Sequence, residues 1–167
     1  MGIYVVTGGT KGIGKSAKDA LIAKGHEVVN IDVDGGDINV DLGTANGRAQ
    51  AVSQLHERYP GGIDGLICNH GIGSLPKFRS SYILSVNYFG AVAIMEGLYD
   101  LLKIKRGSCV AVASGQIAAA VPGKYHVDGL LNNCGDELRI GRLVDSFPPQ
   151  DVRIVQYPLV MYESAKI

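Results

Sequence analysis

Gly8, Gly9, Gly12 and Gly14 crowd together directly after the apolar run I-Y-V-V-T at Ile3 to Thr7. A turn so poor in Cβ atoms lets a pyrophosphate lie against backbone N–H groups, and the positive end of a helix opening near Ile13 favours the same anion. That is the chemistry of a nucleotide cradle. One string satisfies several motifs: G-x-x-x-x-G-K-S through Gly9, Gly14, Lys15 and Ser16, G-x-G-x-x-A through Gly12, Gly14 and Ala17, and T-G-x-x-x-G-x-G through Thr7, Gly8, Gly12 and Gly14. The bland alternative is a glycine-rich connection with no ligand. Further along, E-V-V-N-I-D ends in Asp32, where such folds place the acid that binds the ribose hydroxyls of an adenosine. The competing reading makes Asp32 the opening of the turn D-V-D-G-G-D, a role that suits Asp34 and Asp37 better. Ser114 closes another apolar run, and Tyr162 and Lys166, four apart, would share one face of a helix.

The elements that must carry these groups alternate. Strands are expected at Ile3 to Thr7, Glu27 to Asp32, Ile38 to Leu42, Ile63 to Asn69 and Ser108 to Ser114. Helices are expected at Lys15 to Lys24, at Thr44 to Tyr59 with Ala45, Ala49, Val52 and Leu55 inward, and at Ser80 to Ile104 as one long element. Parallel strands need crossover helices, so the alternation predicts an α/β protein with a doubly wound parallel sheet. Asp41 and Leu42, ending the third strand, are placed to meet an adenine. His70 follows Asn69 in the glycine-containing turn N-H-G-I-G, and reads as a loop residue ahead of a catalytic one. Asn87 lies inside the long helix, where its amide competes for backbone hydrogen bonds, and this marks it for a site role. Val127 to Cys134 and Asp136 to Ser146 are expected to be helical, with Leu138, Leu143 and Val144 among the apolar residues of the second, and Asp151 to Val160 partly a strand.

At 167 residues, 46% hydrophobic and 19% charged, the chain suits one domain with its own core. Its 16 basic and 16 acidic residues cancel, and it has no basic tract with interleaved aromatics, so neither nucleic acid nor an anionic membrane is an expected partner. Cys68, Cys109 and Cys134 lie in or beside apolar runs without C-x-x-C or histidine spacing; reduced, buried thiols and no metal are expected. The chain has no charged leader with an apolar core and no apolar run near ~18 residues, which points to the cytoplasm.

These residues together resemble the short-chain dehydrogenase/reductase family, and within it the bacterial 3α-hydroxysteroid dehydrogenase/carbonyl reductase group. The marks are T-G-G-T-K-G-I-G from Thr7, the acid Asp32, D-L at Asp41, N-H-G at Asn69, S-V-N-Y-F-G at Ser85 to Gly90, A-S at Ser114 and Y-E-S-A-K at Tyr162. The segment G-D-E-L-R-I-G-R-L-V at Gly135 to Val144 is similar to the helix that this group inserts between its serine and tyrosine. The resemblance implies a single Rossmann-like dinucleotide-binding domain over 1–167, incomplete at its C-terminus, with an inserted helical segment at about 116–157. It implies an NAD(P)-dependent oxidoreductase moving a hydride between nicotinamide and a secondary alcohol or ketone, a hydroxysteroid or other carbonyl compound, and a homodimer. The alternatives are a non-catalytic binding or assembly protein on the same fold and, more remotely, a phosphate-loop nucleotide-binding protein using Lys15 and Ser16.

By the same resemblance the catalytic residues are Asn87, Ser114, Tyr162 and Lys166. Cofactor contacts fall to Gly8, Thr10, Lys11, Gly12, Ile13, Gly14, Asp32, Asp41, Leu42, Asn69, Gly71, Tyr162 and Lys166. A free tyrosine, with pKa ~10, needs an adjacent cation to work near neutrality, and the ammonium of Lys166 supplies one. Ser114 would bond the substrate oxygen, and Asn87 would hold a water leading from the lysine to solvent. His70 stands where the family has alanine. Tyr125 follows Ser114 at a more ordinary spacing, but Gly129 occupies the place of its lysine, so Tyr162 is preferred. Family members continue beyond the lysine, so this chain as it stands is expected to be inactive. Lys11 resembles the basic residue used against a 2′-phosphate, whereas Asp32 repels that group; the expected cofactor is NAD rather than NADP.

Overall fold

A computed structural model describes residues 1–73, 77–112 and 136–146. They fall into two compact units, one made of Met1–His70 and Gly90–Val112, the other of Gly71–Phe89 and Ala113–Ile167. Ser114, Tyr125, Gly129, Cys134, Tyr162, Lys166 and the segments Val127 to Cys134 and Asp151 to Val160 lie outside the described residues.

The first unit holds five parallel strands: β1 (Ile3–Thr7), β2 (Glu27–Asp32), β3 (Ile38–Asn39), β4 (Gly65–Cys68) and β5 (Ser108–Ala111), in the order β3-β2-β1-β4-β5. β1 sits centrally, Tyr4 pairing with Val28 on one side and Gly65 on the other. Its helices are α1 (Gly12–Ala23), α2 (Ala45–Arg58), α4 (Ala91–Gly97) and α5 (Tyr99–Lys105); α3 (Ser80–Leu84) belongs to the second unit. The chain leaves β1 towards β2 and later crosses back to β4, so right-handed connections put α1 on one face and α2 with α4 on the other. Packing agrees. Leu55 of α2, Ile94 of α4, Leu98 and Leu101 join Val5, Val29, Ile31 and Leu66 in one buried cluster that contains nothing from α1. Burying each such side chain contributes about 1.5–3 kcal/mol.

Several local departures from the sequence reading have clear causes. The third strand is only Ile38–Asn39, although Val40 and Leu42 remain buried in the core. In α2 the buried positions are Gly47, Arg48, Ala51 and Leu55, with Val52 packed beside them, while Ala45 and Ala49 face solvent. Thr44 caps this helix by accepting from the Gly47 amide at 3.0 Å, which settles the phase of the first turn. The expected single helix Ser80 to Ile104 is interrupted: α3 runs into a π-helical stretch, Ser85–Gly90, then α4, and Leu98 separates α4 from α5. Cys68 is buried as expected but Cys109, on β5, is exposed, because no residue of β5 is covered. Hydrogen bonding from Cys68 holds the Cys109 thiol down at about 7, and the same contact with burial pushes Cys68 up.

In the second unit, α6 (Glu137–Asp145) packs on α3, burying Ile140 and Val144 against Ile83 and Leu84. The helix is there as expected, and Leu138, one of its apolar residues, is 75% exposed, since it lies off the 140–144 stripe. Asp136 caps its start by accepting from the Arg139 amide at 2.9 Å. Asp145 in turn accepts from the Ser81 amide and hydroxyl at 2.9 and 2.8 Å, tying the two helices together. No helix among the described residues is long and apolar enough to cross a membrane.

Candidate active site

The sheet order reverses between β1 and β4, and in open α/β sheets ligands sit outside the carboxyl ends of the strands at that point. Thr7 is the last residue of β1 and is fully buried. Its Oγ1 accepts from the amides of Asn69 and His70, at 3.1 and 3.3 Å, and lies 2.6 Å from His70 Nδ1. With two donors on the oxygen, the hydroxyl proton points to Nδ1, which places the proton of a neutral His70 on Nε2. The Asn69 side chain donates to the Gly8 carbonyl at 3.1 Å. The turns after β1 and β4 are thus laced to each other.

Within the glycine turn, Gly8 has a φ of 70°, and a Cβ there would meet His70 Cα at 2.7 Å. Gly14 is needed for a different reason: its Cβ would fall 2.2 Å from the Gly8 carbonyl oxygen and 2.4 Å from Asn69 Nδ2. The start of α1 therefore presses on the turn as only glycine allows. By contrast, the space beside Gly12 is open, with nothing within 4 Å of a built Cβ.

Three successive amides of the turn are already taken by β2. Gly8 donates to the Ile31 carbonyl at 2.8 Å, Gly9 to Asn30 Oδ1 at 2.8 Å and Thr10 to Asp32 Oδ2 at 3.1 Å. The bare amides expected along the whole turn are therefore confined to its far end. There, α1 begins at Gly12 after Lys11, with no side-chain cap, so an anion would meet the first-turn N–H groups of Gly12, Ile13 and Gly14. Helix α1 thus opens at Gly12, beside the expected start near Ile13 and ahead of the Lys15 to Lys24 stretch, and its first residues are what an anion would use. Ile13 is exposed beside them.

Asp32 ends β2 as expected, half-buried, with Oδ2 held by Thr10 and Oδ1 accepting from the Val33 amide at 2.8 Å. Asp37 has a structural task, its Oδ2 accepting from the Asn30 amide at 2.8 Å. Asp41 Oδ1 accepts from the Gly43 amide at 2.8 Å and turns the chain towards α2. Leu42 is only 5% exposed and belongs to the core, which leaves little of its side chain for an adenine. Lys15 spends its ammonium on Asp19 one turn along α1, lowering the Asp19 carboxyl, and Ser16 bonds back to the Gly12 carbonyl at 3.3 Å. Neither behaves as the lysine and serine of a phosphate loop. No group of three or more potential metal ligands exists among the described residues.

Asn87 lies in the second unit, in the π-helical stretch. Its Oδ1 accepts from the Ile72 amide at 2.8 Å and its Nδ2 donates to the Ile72 carbonyl at 3.0 Å. The amide thus pairs with a backbone residue as a neighbouring strand would, and the π turn supplies the local widening. Gly71 packs close by, a Cβ there lying 3.3 Å from Asn87 Oδ1. Two residues that sequence reasoning missed stand out. Thr7 served only as a motif letter, yet it joins β1 to the turn after β4. Asn30 is the other, and the lone amide amid the apolar residues of V-V-N-I-D is the signal in the sequence that could have found it.

A parallel sheet in this order, with a glycine turn after β1 and an acid at the end of β2, is a Rossmann-like α/β fold. The 3α-hydroxysteroid dehydrogenase/carbonyl reductase of Comamonas testosteroni is 32% identical over 145 residues, 87% of this chain and 56% of that protein. A 3α-hydroxysteroid dehydrogenase from a Pseudomonas species, solved with NADH, matches with a TM-score of 0.82 and 33% identity, over 96% of this chain and 63% of its own. A short-chain dehydrogenase from Streptomyces avermitilis, 21% identical, shares the fold with a TM-score of 0.57 over 68% of this chain and 50% of its own. No family model matches the chain. The chain is similar to these hydroxysteroid dehydrogenases and spans 56–63% of their length.

Proposed function

We propose that the protein is an NAD-dependent dehydrogenase/reductase that interconverts a secondary alcohol and a ketone, with hydroxysteroids or similar carbonyl compounds as the substrate class. The observation that carries this reading is the glycine turn after β1, at the reversal of strand order. Gly14 is packed so that only glycine fits, the space beside Gly12 is open, and Asp32 stands at the end of β2. These residues fit a dinucleotide: the first turn of α1 would hold the pyrophosphate, and Asp32 would accept from the adenosine ribose hydroxyls while opposing a 2′-phosphate. The likeness to an enzyme solved with NADH supports the same cofactor class.

Bound there, nicotinamide supplies or accepts the hydride. The chain's own contribution is proton handling at the substrate oxygen. Tyr162 would donate its phenolic proton to that oxygen during ketone reduction and take it back during oxidation, with Lys166 lowering its pKa towards neutrality. Ser114 would donate a hydrogen bond to the same oxygen as charge builds on it. Asn87 would take part through the water that its family counterparts hold; here its amide also braces Ile72. We infer a homodimer in the cytoplasm as the working form.

The test uses the full-length protein. NADH absorbance is followed across a panel of ketosteroids and simple ketones, and NADH binding is titrated in parallel for the parent, Asp32→Ala and Tyr162→Phe. Turnover by the parent, tenfold or weaker NADH binding in Asp32→Ala, and loss of turnover with intact binding in Tyr162→Phe are expected. A Tyr162→Phe protein as active as the parent would transfer the acid/base role to Tyr125. No absorbance change with any carbonyl compound would remove the oxidoreductase reading.

A further inference from the structure

Asn30 is 1% exposed and sits among apolar neighbours in β2, where an amide is costly unless every polar atom is matched. Each one is. Its Oδ1 accepts from the Gly9 amide at 2.8 Å and its Nδ2 donates to Thr10 Oγ1 at 3.1 Å. Its own amide donates to Asp37 Oδ2 and its carbonyl accepts from the Asp37 amide, both at 2.8 Å. Because Gly9 can only donate, the orientation of the Asn30 amide follows, and Thr10 Oγ1 must accept from it. The Thr10 hydroxyl then donates onward, to the Asp34 carbonyl at 3.0 Å. The bonds form a directed chain with one consistent arrangement of protons.

That chain ends on the Asp34 carbonyl and fixes Thr10, whose backbone amide reaches the carboxylate of Asp32. Thr10, held at its side chain by Asn30 and Asp34, donates its amide to Asp32 Oδ2, while Val33 holds Oδ1. A carboxylate gripped at both oxygens cannot swing aside, yet each oxygen keeps a lone pair for a ribose hydroxyl. A 2′-phosphate brought to the same place meets a fixed negative charge. If Thr10 were loose, Asp32 could rotate out and leave the phosphate to Lys11, one residue further along the turn.

We propose that Asn30 is a positioning residue for dinucleotide selectivity, locking Thr10 so that Asp32 is held in the one orientation that accepts two ribose hydroxyls and rejects a 2′-phosphate. The proposal deepens the dinucleotide reading above and rests on it. It assigns to a buried amide the preference that would otherwise be credited to the acid alone.

Dissociation constants for NADH and NADPH, measured by fluorescence titration of the full-length protein, test it in Asn30→Ala, Thr10→Val and Asn39→Ala. Asn39 is the control: it clamps the neighbouring turn by bonding Gly36 at 2.9 and 3.0 Å but does not touch the glycine turn. Asn30→Ala is expected to weaken NADH about tenfold and NADPH hardly at all, so that the preference narrows by about that factor. Thr10→Val, which cuts the same link at a half-buried position, should narrow it in the same direction and carries the test should Asn30→Ala not fold. Asn39→Ala should lower the melting temperature without changing the ratio. An unchanged ratio in both link variants, or an equal change in Asn39→Ala, overturns the proposal while leaving dinucleotide binding intact. A parent that binds neither nucleotide overturns both.

Discussion

Gly14 and Thr7 show how much of this site is decided by single atoms. Gly14 is where α1 and the turn after β1 come closest, and the obstacles to a Cβ include a backbone carbonyl at 2.2 Å, which cannot rotate away as a long side chain could. Gly14→Ala is therefore expected to cost about 3 kcal/mol or more, beyond ordinary overpacking, and to abolish NADH binding even where the protein folds. A melt with a parallel titration checks it, and an unchanged melting temperature would show that the contact relaxes. Thr7 works by accepting: its hydroxyl takes two amides from the neighbouring turn, a use that its place in the glycine motif did not announce.

At the scale of elements, the ends of helices and strands do the positioning. Tyr59, closing α2, donates its hydroxyl to Glu27 Oε1 at 2.6 Å at the start of β2. Burial, and then the Glu27 carboxylate, push its pKa up to about 12. The folded value lies above the unfolded value of 10, so this contribution is complete below pH 10 and is lost as pH rises from there through 12. The parent should lose stability across that window in denaturant titrations at successive pH values, whereas Tyr59→Phe should show a smaller decline. In the second unit the π-helical stretch exists where Asn87 pairs with Ile72. Asn87→Ala leaves a donor and an acceptor unmatched and is expected to cost about 1–3 kcal/mol. Loss of hydrogen-exchange protection at the Ile72 amide would register it, and full protection would refute it.

For the molecule as a whole, the described residues build two hydrophobic clusters. The first gathers Val5, Ile31, Leu66, Leu55, Ile94 and Leu98, and the second gathers Ile83, Leu84, Ile140 and Val144. Separate cores open separately unless something couples them. Ile94→Ala is expected to destabilise the first unit by about 2–5 kcal/mol. Val144→Ala should lower exchange protection along α3 and α6 while leaving the amides of Val5 and Ile31 as slow as in the parent. Equal loss of protection in both units under Val144→Ala would mean that they unfold as one.

Periodicity and turn chemistry made much of this architecture legible in the bare chain. Strands β1 and β2, the glycine turn, α2 between Thr44 and Pro60, and the acid at Asp32 all follow from local rules: β-branched runs, residues without Cβ atoms, caps and breakers. Those rules act within a few residues, so they reach the identity of an element before its partners. Tertiary structure alone decided that the amides of Gly8, Gly9 and Thr10 face β2 and leave an anion only the first turn of α1, because those bonds join residues about twenty positions apart. It also exposed Cys109, buried Leu42, opened the helix around Asn87 and gave Asn30 its task. Each of these depends on which strand or helix lies alongside, and such neighbours are chosen by the packing of the whole sheet.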